Sequence, residues 1–360
     1  MSSCPKELER NGPTEGMTFT RKEAEKLFEH YFNKKVSWYE QGEGGLNNLI
    51  IFIQCEDDQR RYVLKIGGHV WTKTKTESEV AAIQLVHEKT TVSLPTVLSF
   101  SSNENNEFGV EWIVMTRLEG KPLRTSHKTD DTWSKLNIEQ KKFIIDQLVQ
   151  YICQLHQKIA QSKQIGNYKL NGQIGCDSDG RGPWNNYQDF YRDRLNRELH
   201  TLRVESIFDP VRNDVLKSIE EFHRISLPTF EDVPNVFTHN DLGVQNLIIN
   251  ETNQVQGIID WEWSGSYPVC EEYFRSYKPI VYDEQLRNYL YDQLEKNQVL
   301  TPRTIPHFSL LKKMNDLLQS VAPWYLTNLA NPQHPIVEKE LIKHRDRVKL
   351  LVQQIKEESI

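Results

Sequence analysis

The sequence predicts an α+β protein of two lobes: a small β-rich amino-terminal lobe and a larger, mainly helical carboxy-terminal lobe. Three observations predict it. Strand-like runs crowd the first 117 residues, a polar connector with Gly120 and Pro122 follows, and helical spacing of apolar residues then dominates, broken by one short β interlude. A chain of 360 residues also exceeds what one small domain needs. The expected division is a flexible arm over 1–17, a first lobe over 18–117 and a second over 118–360.

Each element has a local cause. Residues 1–17 are polar and carry Pro5, Gly12, Pro13 and Gly16, which suits a loose arm. Thr20 followed by Glu23 forms a capping-box pattern that opens a helix running to about Phe32. Val36–Gln41, Leu46–Gln54 and Arg60–Ile66 read as strands; the second contains LIIFI, which suggests burial on both faces, and CEDDQ turns it into the third. A helix is expected from Thr76 to about Lys89, then strands over Val97–Ser101 and Val110–Arg117. Beyond the connector Leu118–Asn137, helices are expected over 138–159, 184–202 and 211–224. Short strands follow at 236–238, 247–249 and 255–259, and the chain is expected to be helical from about Asp283.

Composition removes several function classes. Forty-four basic against 50 acidic residues give a net charge of −6, unlike a general nucleic-acid binder. No apolar run approaches the roughly 18–20 residues that span a membrane, and MSSCPKELERNG lacks a signal peptide's apolar stretch. Five widely spaced cysteines without a CxxC argue against a disulfide or zinc framework and fit a reducing cytoplasm.

The chemistry concentrates in FTHNDLGVQNLIINETNQVQGIIDWE, residues 237–262. Asp241 and Asn246 bracket a loop, and Asp260 ends the apolar strand after the next hairpin. One carboxylate, one carboxamide and a second carboxylate thus meet at neighbouring strand ends, an assortment that suits phosphoryl transfer with hard Mg²⁺ ions. Any one of these residues alone would read as a surface turn or strand-end acid; the set at this spacing favours a site.

At these residues the chain resembles the aminoglycoside phosphotransferase and choline kinase group of small-molecule kinases, whose fold is protein-kinase-like. HNDLGVQN fits the H-x-D-x-x-x-x-N pattern, and IDWE stands in place of D-F-G. The resemblance implies that Asp241 is the catalytic base, that Asn246 and Asp260 are magnesium ligands, and that His239 fixes the loop. It also implies ATP as phosphoryl donor and a small hydroxylated metabolite, or an aminoglycoside-like compound, as acceptor. Asn240 is closer to choline kinases, whereas IDWE is closer to the aminoglycoside branch. The resemblance covers about 36–275 and leaves the last 85 or so residues unassigned.

The first lobe supplies the remaining parts. Strand alternation puts Lys65 on one face with Arg61 and Val63. The resemblance implies that it reaches the α- and β-phosphates and pairs with Glu79 on the following helix; facing a phosphate site, it is expected to be partly solvated. Glu77 competes for that pairing, and Thr76 with Glu79 also fits a capping box. Gly42, Gly44 and Gly45 lie in the turn between the first two strands, where backbone can approach a phosphate; the turn matches neither GxxxxGK[ST] nor GxGxxG. Residues 112–120 resemble the hinge that meets adenine, with Met115 and Arg117 at its centre, although Met115 also fits ordinary core.

Two other functions compete. A protein kinase would have arginine after His239, phenylalanine at Trp261 and an A-P-E segment, none of which occurs here. A pseudokinase would lack the base or a metal ligand, yet Lys65, Asp241, Asn246 and Asp260 are all present. Trp184, Tyr187, Trp261, Trp263 and Tyr267 are candidate walls for the acceptor or else core, and Glu262, Glu271 and Glu272 either favour a cationic acceptor through charge or are helix-end or surface groups. His156 reads as packing.

Overall fold

The computed structural model describes residues 12–42, 47–56, 58–68, 74–123, 131–327, 329 and 331–359. In order, α1 (Arg21–Phe32), β1 (Val36–Gln41), β2 (Asn48–Cys55), β3 (Asp58–Gly67), α2 (Thr74–Lys89), β4 (Val97–Ser101) and β5 (Trp112–Thr116) come first. Next are β6 (Lys121–Pro122), α3 (Thr132–Lys135), α4 (Ile138–Lys158), α5 (Tyr187–Val204) and α6 (Arg212–Phe222). The chain continues through β7 (Asn235–Thr238), β8 (Leu247–Ile249), β9 (Val255–Ile258), β10 (Gly265–Pro268) and α7 (Val269–Arg275), then α8 (Glu284–Lys296), α9 (Phe308–Val321) and α10 (Pro335–Glu358). These elements form two compact units, one of residues 12–183 with 235–301, the other built from 184–234 with 302–359.

In the first unit an antiparallel sheet has the order β1-β2-β3-β5-β4. Its pleat separates two environments. Leu49, Ile51, Ile53, Tyr62, Leu64, Ile66, Trp112 and Val114 pack with Ala24, Leu27 and Phe28 of α1. On the other face, Val63, Ile113 and Met115 pack with Val80 of α2. The LIIFI run is therefore fully buried on one side only: Ile50 and Phe52 are half-buried, because their face is the one that carries Lys65. Helix α1 starts where the capping box predicts, with Thr20 Oγ1 accepting from the Glu23 amide at 3.3 Å and Glu23 accepting from the Thr20 amide at 2.5 Å.

The rest of this unit carries the loops of interest. α4 is held to the β9 hairpin by Gln147, whose Oε1 accepts from the Val255 amide at 2.9 Å and whose Nε2 donates to the Asn253 carbonyl at 3.2 Å. Two short strands escaped sequence reading. β6 lies within the expected polar connector and pairs with β8, and β10 pairs with β7. With two and four residues, neither has enough alternation to betray itself.

The second unit takes up residues 302–359, most of the stretch without an assignment in the sequence. α9 and α10 pack with α5 and α6, burying Leu311, Leu317, Val348 and Ile355 with Leu195, Leu202 and Ile219. Tyr191 of α5 donates to the Met314 carbonyl of α9 at 3.0 Å. Pro335 occupies the first turn of α10, where its missing N–H costs nothing. No helix of the described residues is long and apolar enough to cross a membrane.

Candidate active site

The antiparallel β8–β9 pairing brings the predicted site residues near one another. Leu247 faces Ile258, and the Ile259 amide donates to the Asn246 carbonyl at 3.0 Å, so the loop entering β8 meets the chain leaving β9. Asn240 and Asp260 both have left-handed backbone, φ 62° and 66°, which non-glycine residues adopt at a cost. His239, with no solvent exposure, places its Nε2 3.1 Å from the Ile259 carbonyl and its ring 4.6 Å from that of Trp261. Burial holds its pKa near 4, so it stays neutral and ties the loop to the strand end.

Within the loop, Asn246 donates from Nδ2 to the carbonyl and to Oδ2 of Asp241, at 2.8 and 3.0 Å. Its carboxamide oxygen is thereby turned away from Asp241. Burial first, and the charge of Asp260 second, raise the Asp241 pKa to about 6, while Asn246 and Lys278 pull it down. A carboxylate poised there stays ionised at neutral pH and gains proton affinity, as a general base requires.

Lys65 brings the two ends of the sequence together. Its Nζ lies 2.8 Å from Glu79 Oε1, 2.8 Å from Asp260 Oδ1 and 3.4 Å from Glu262 Oε2. The expectation of a partly solvated lysine is corrected: Lys65 is 6% exposed, because three carboxylates compensate its burial. Burial alone would lower its pKa, but Asp260, Glu79 and Glu262 raise it well above the usual value. α2 begins at Thr74, so Thr76 lies inside the helix; Glu79 is the partner of Lys65, and the alternative capping box does not form. Burial raises the Glu79 pKa, and its Oε2 accepts no hydrogen bond among the described residues. Asp260 is also raised, by burial and then by Glu262, against the pull of Lys65.

The other predicted nucleotide contacts fall around the same sheet face. Gly42 donates to the Ile50 carbonyl at 2.8 Å, and a Cβ there would come within 3.1 Å of the Phe52 ring. Gly44 and Gly45 lie outside the described residues. Met115 is 7% exposed and packs with Ile113 and Val80. The amides of Thr116 and Arg117 donate to the carbonyls of Thr96 and Arg61, both at 2.9 Å, so a hinge contact from Arg117 falls to its own carbonyl. The Arg117 guanidinium lies 4.1 Å from the centre of the Phe52 ring.

Several residues were missed or misread from sequence. Lys75, Asn47 and Asn48 join Glu262 beside Lys65. Lys75 and Glu79 are four apart on one helix, and Asp260 and Glu262 two apart in the chain; those spacings were the available signals. Glu271 and Glu272 lie in the first turn of α7, at a helix end as expected, but with Glu262 they are each 1–2% exposed, which corrects the expectation of surface acids. Glu272 accepts from the amides of His239 at 2.6 Å and Asn240 at 3.4 Å and from the Ser276 hydroxyl, so it braces the loop. Trp184 and Tyr187 pack on Phe190. Trp261 is buried, and Tyr267 donates to Asn167 Oδ1 at 2.7 Å; of the proposed aromatic walls only Trp263 is half-open. His156 is buried, as its packing role requires.

No curated protein matches the chain. Among solved structures, a thermostable mutant of the aminoglycoside phosphotransferase APH(4)-Ia, apo form, is similar at TM-score 0.57 and 16% identity, over 92% of this chain and 98% of that one. Spectinomycin phosphotransferase APH(9)-Ia, solved with ADP and spectinomycin, gives 0.53 and 12% over 96% and 100%. A putative aminoglycoside phosphotransferase from Ralstonia eutropha gives 0.55 and 15% over 94% and 99%. These likenesses show the kinase-like α+β fold. A family model described as the phosphotransferase enzyme family, APH, matches residues 38–306, about three quarters of the chain. The chain therefore belongs to the phosphotransferase enzyme family, as a small-molecule kinase.

Proposed function

We propose that this protein moves the γ-phosphoryl group of ATP to a hydroxyl of a small molecule, with Asp241 as the base and with Asn246 and Asp260 as magnesium ligands. The observation that carries this reading is the convergence of Lys65, Glu79 and Asp260 at 2.8 Å contacts, from three separate elements, beside the loop that holds Asp241. Lys65 would bind the α- and β-phosphates, and Glu79 would keep its ammonium group aimed at them. The division into lobes 18–117 and 118–360, with nucleotide held where they meet, belongs to the same proposal.

The donor set fits magnesium. Asn246 has both amide hydrogens committed to Asp241, which leaves a hard carboxamide oxygen, and Asp260 offers a carboxylate whose other oxygen holds Lys65. Bound there, the metal would neutralise charge on the phosphates. Asp241 would accept the acceptor's hydroxyl proton on a carboxylate oxygen, steered by the Asn246 hydrogen bond. Glu272 and His239 would hold the loop in register.

The acceptor is proposed as a small hydroxylated metabolite or an aminoglycoside-like compound, the latter in keeping with the hygromycin B and spectinomycin complexes of the neighbours. A panel of such compounds assayed with Mg·ATP tests the reading. Asp241→Asn should lower turnover by about 10²–10⁴-fold and keep Mg·ATP binding. Asp260→Asn should also be nearly inactive, with much weaker binding. Saturating Mg·ATP stabilises the native state by about 2.7 kcal/mol at a hundredfold excess over Kd. Thermal shift should therefore be kept in the first variant and mostly lost in the second. The reverse pattern exchanges the two roles, and full activity in either variant removes that residue from the site.

A further inference from the structure

Glu262 has more partners than a carboxylate needs merely to be tolerated inside a protein. It is 1% exposed. Its Oε1 accepts from Asn47 Nδ2 at 2.8 Å, and its Oε2 from Asn48 Nδ2 at 2.7 Å. The ammonium groups of Lys75 and Lys65 lie 3.1 and 3.4 Å from the same Oε2. Lys75, itself 1% exposed, also donates to Asn48 Oδ1 at 2.7 Å, which closes a ring of Glu262, Asn48 and Lys75. From behind, the Glu262 carbonyl accepts from the Ser178 hydroxyl at 3.2 Å, and Ser178 accepts from Asn167 at 3.2 Å.

Three segments far apart in sequence are thus pinned at one carboxylate: the chain directly after the glycine turn, the first turn of α2, and the strand end that bears Asp260. Replacing a buried ion pair by apolar residues of similar volume is often neutral or favourable, so stability alone does not account for the arrangement. Register is the better-attested use of such a group. Gly42 is fixed at one end of the turn by the Ile50 carbonyl, and Asn47 is fixed at the other by Glu262. Holding Gly42 and Asn47 in place spares nucleotide binding the cost of ordering those two residues.

We infer that Glu262 is a positioning residue that fastens the outgoing end of the glycine turn, through Asn47 and Asn48, to the strand end carrying Asp260, with Lys75 as its counter-charge. It acts on the reaction through nucleotide placement. This rests on the reading of the site as an ATP site, so its test includes a measurement independent of turnover.

The test compares Glu262→Gln, Asn48→Ala and Lys75→Met with the unaltered full chain. Amide hydrogen exchange of the free protein over residues 47–50 should quicken in all three. KM for ATP should rise roughly tenfold or more, about the value of one charge-assisted hydrogen bond, with kcat changed by a few-fold at most. Asn48→Ala keeps the carboxylate and still breaks the clamp, so it answers the question if Glu262→Gln folds poorly. The magnesium concentration for half-maximal activity should stay unchanged. A raised magnesium requirement with normal ATP affinity and normal exchange would make Glu262 a metal ligand and overturn the inference. Unchanged exchange in Asn48→Ala would overturn it as well. Failure of the unaltered protein to bind Mg·ATP by calorimetry would sink the ATP-site reading itself, a result that exchange data alone cannot produce.

Discussion

Lys65 shows how burial changes what a substitution does. Were it a solvated phosphate-binding lysine, Lys65→Met would disturb the ligand and leave the fold alone. Its ammonium group is instead enclosed by Glu79, Asp260 and Glu262. Removing it strands the fully buried Glu79, and breaking a buried pair from one side costs about 3–5 kcal/mol. Urea denaturation of the free protein should show a loss of that order, partly recovered in Lys65→Met/Glu79→Met. A change within about 0.5 kcal/mol, the range of surface substitutions, would contradict this account. Glu272 gives the pH dependence. Burial lifts its carboxyl from 4.5 to about 7, against the hydrogen bonds of Ser276, His239 and Asn240. The folded state then holds a proton that the unfolded chain releases, so this group's contribution to stability declines as pH rises from about 4.5 through 7. At one pKa unit per 1.36 kcal/mol, the decline is on the order of 3 kcal/mol. Thermal melts between pH 5 and 8 should fall more steeply for the wild type than for Glu272→Gln; parallel curves would remove Glu272 as the cause.

At the scale of elements, local signals were sufficient where the chain closes its own hydrogen bonds. The Thr20–Glu23 box starts α1 and is complete in both directions. Thr20→Ala should cost about 1 kcal/mol, seen as a lower melting temperature without a change in the baseline spectrum; a stabilised or unchanged protein would mean that α1 is held by its apolar face alone. The long strands β1, β2 and β3 were legible for a similar reason, since each has enough alternation to define a face. β6 and β10 were not, because Lys121–Pro122 and Gly265–Pro268 become strands only through partners 128 and 27 positions away, Ile249 for Lys121 and Thr238 for Gly265.

For the whole molecule, the motif at 237–262 suggested phosphoryl transfer, and the family match over residues 38–306 agrees with that reaction class. Residue types and spacing carried Lys65, Glu79, Asp241, Asn246 and Asp260. They did not carry burial: nothing local tells that Glu262 and Glu272 lie inside, because the donors that make this tolerable come from Asn47, Asn48 and Lys75 in one case and from the loop's own amides in the other. Nor did they reveal that the carboxy-terminal residues join α5 and α6, since an amphipathic helix announces an apolar face but not its partner.

On the proposed reading of the site, the crowding at Lys65 bears on which ionic form of nucleotide would enter. Glu79, Asp260 and Glu262 set three carboxylates against the two ammonium groups of Lys65 and Lys75. Fully ionised, the cluster departs from electroneutrality by one negative charge. A bare tetraanionic triphosphate would be repelled at short range, where salt screens poorly, whereas pairing with a divalent cation halves its charge and lessens that repulsion. If the recess takes nucleotide as proposed, it would favour the metal salt over the bare tetraanion.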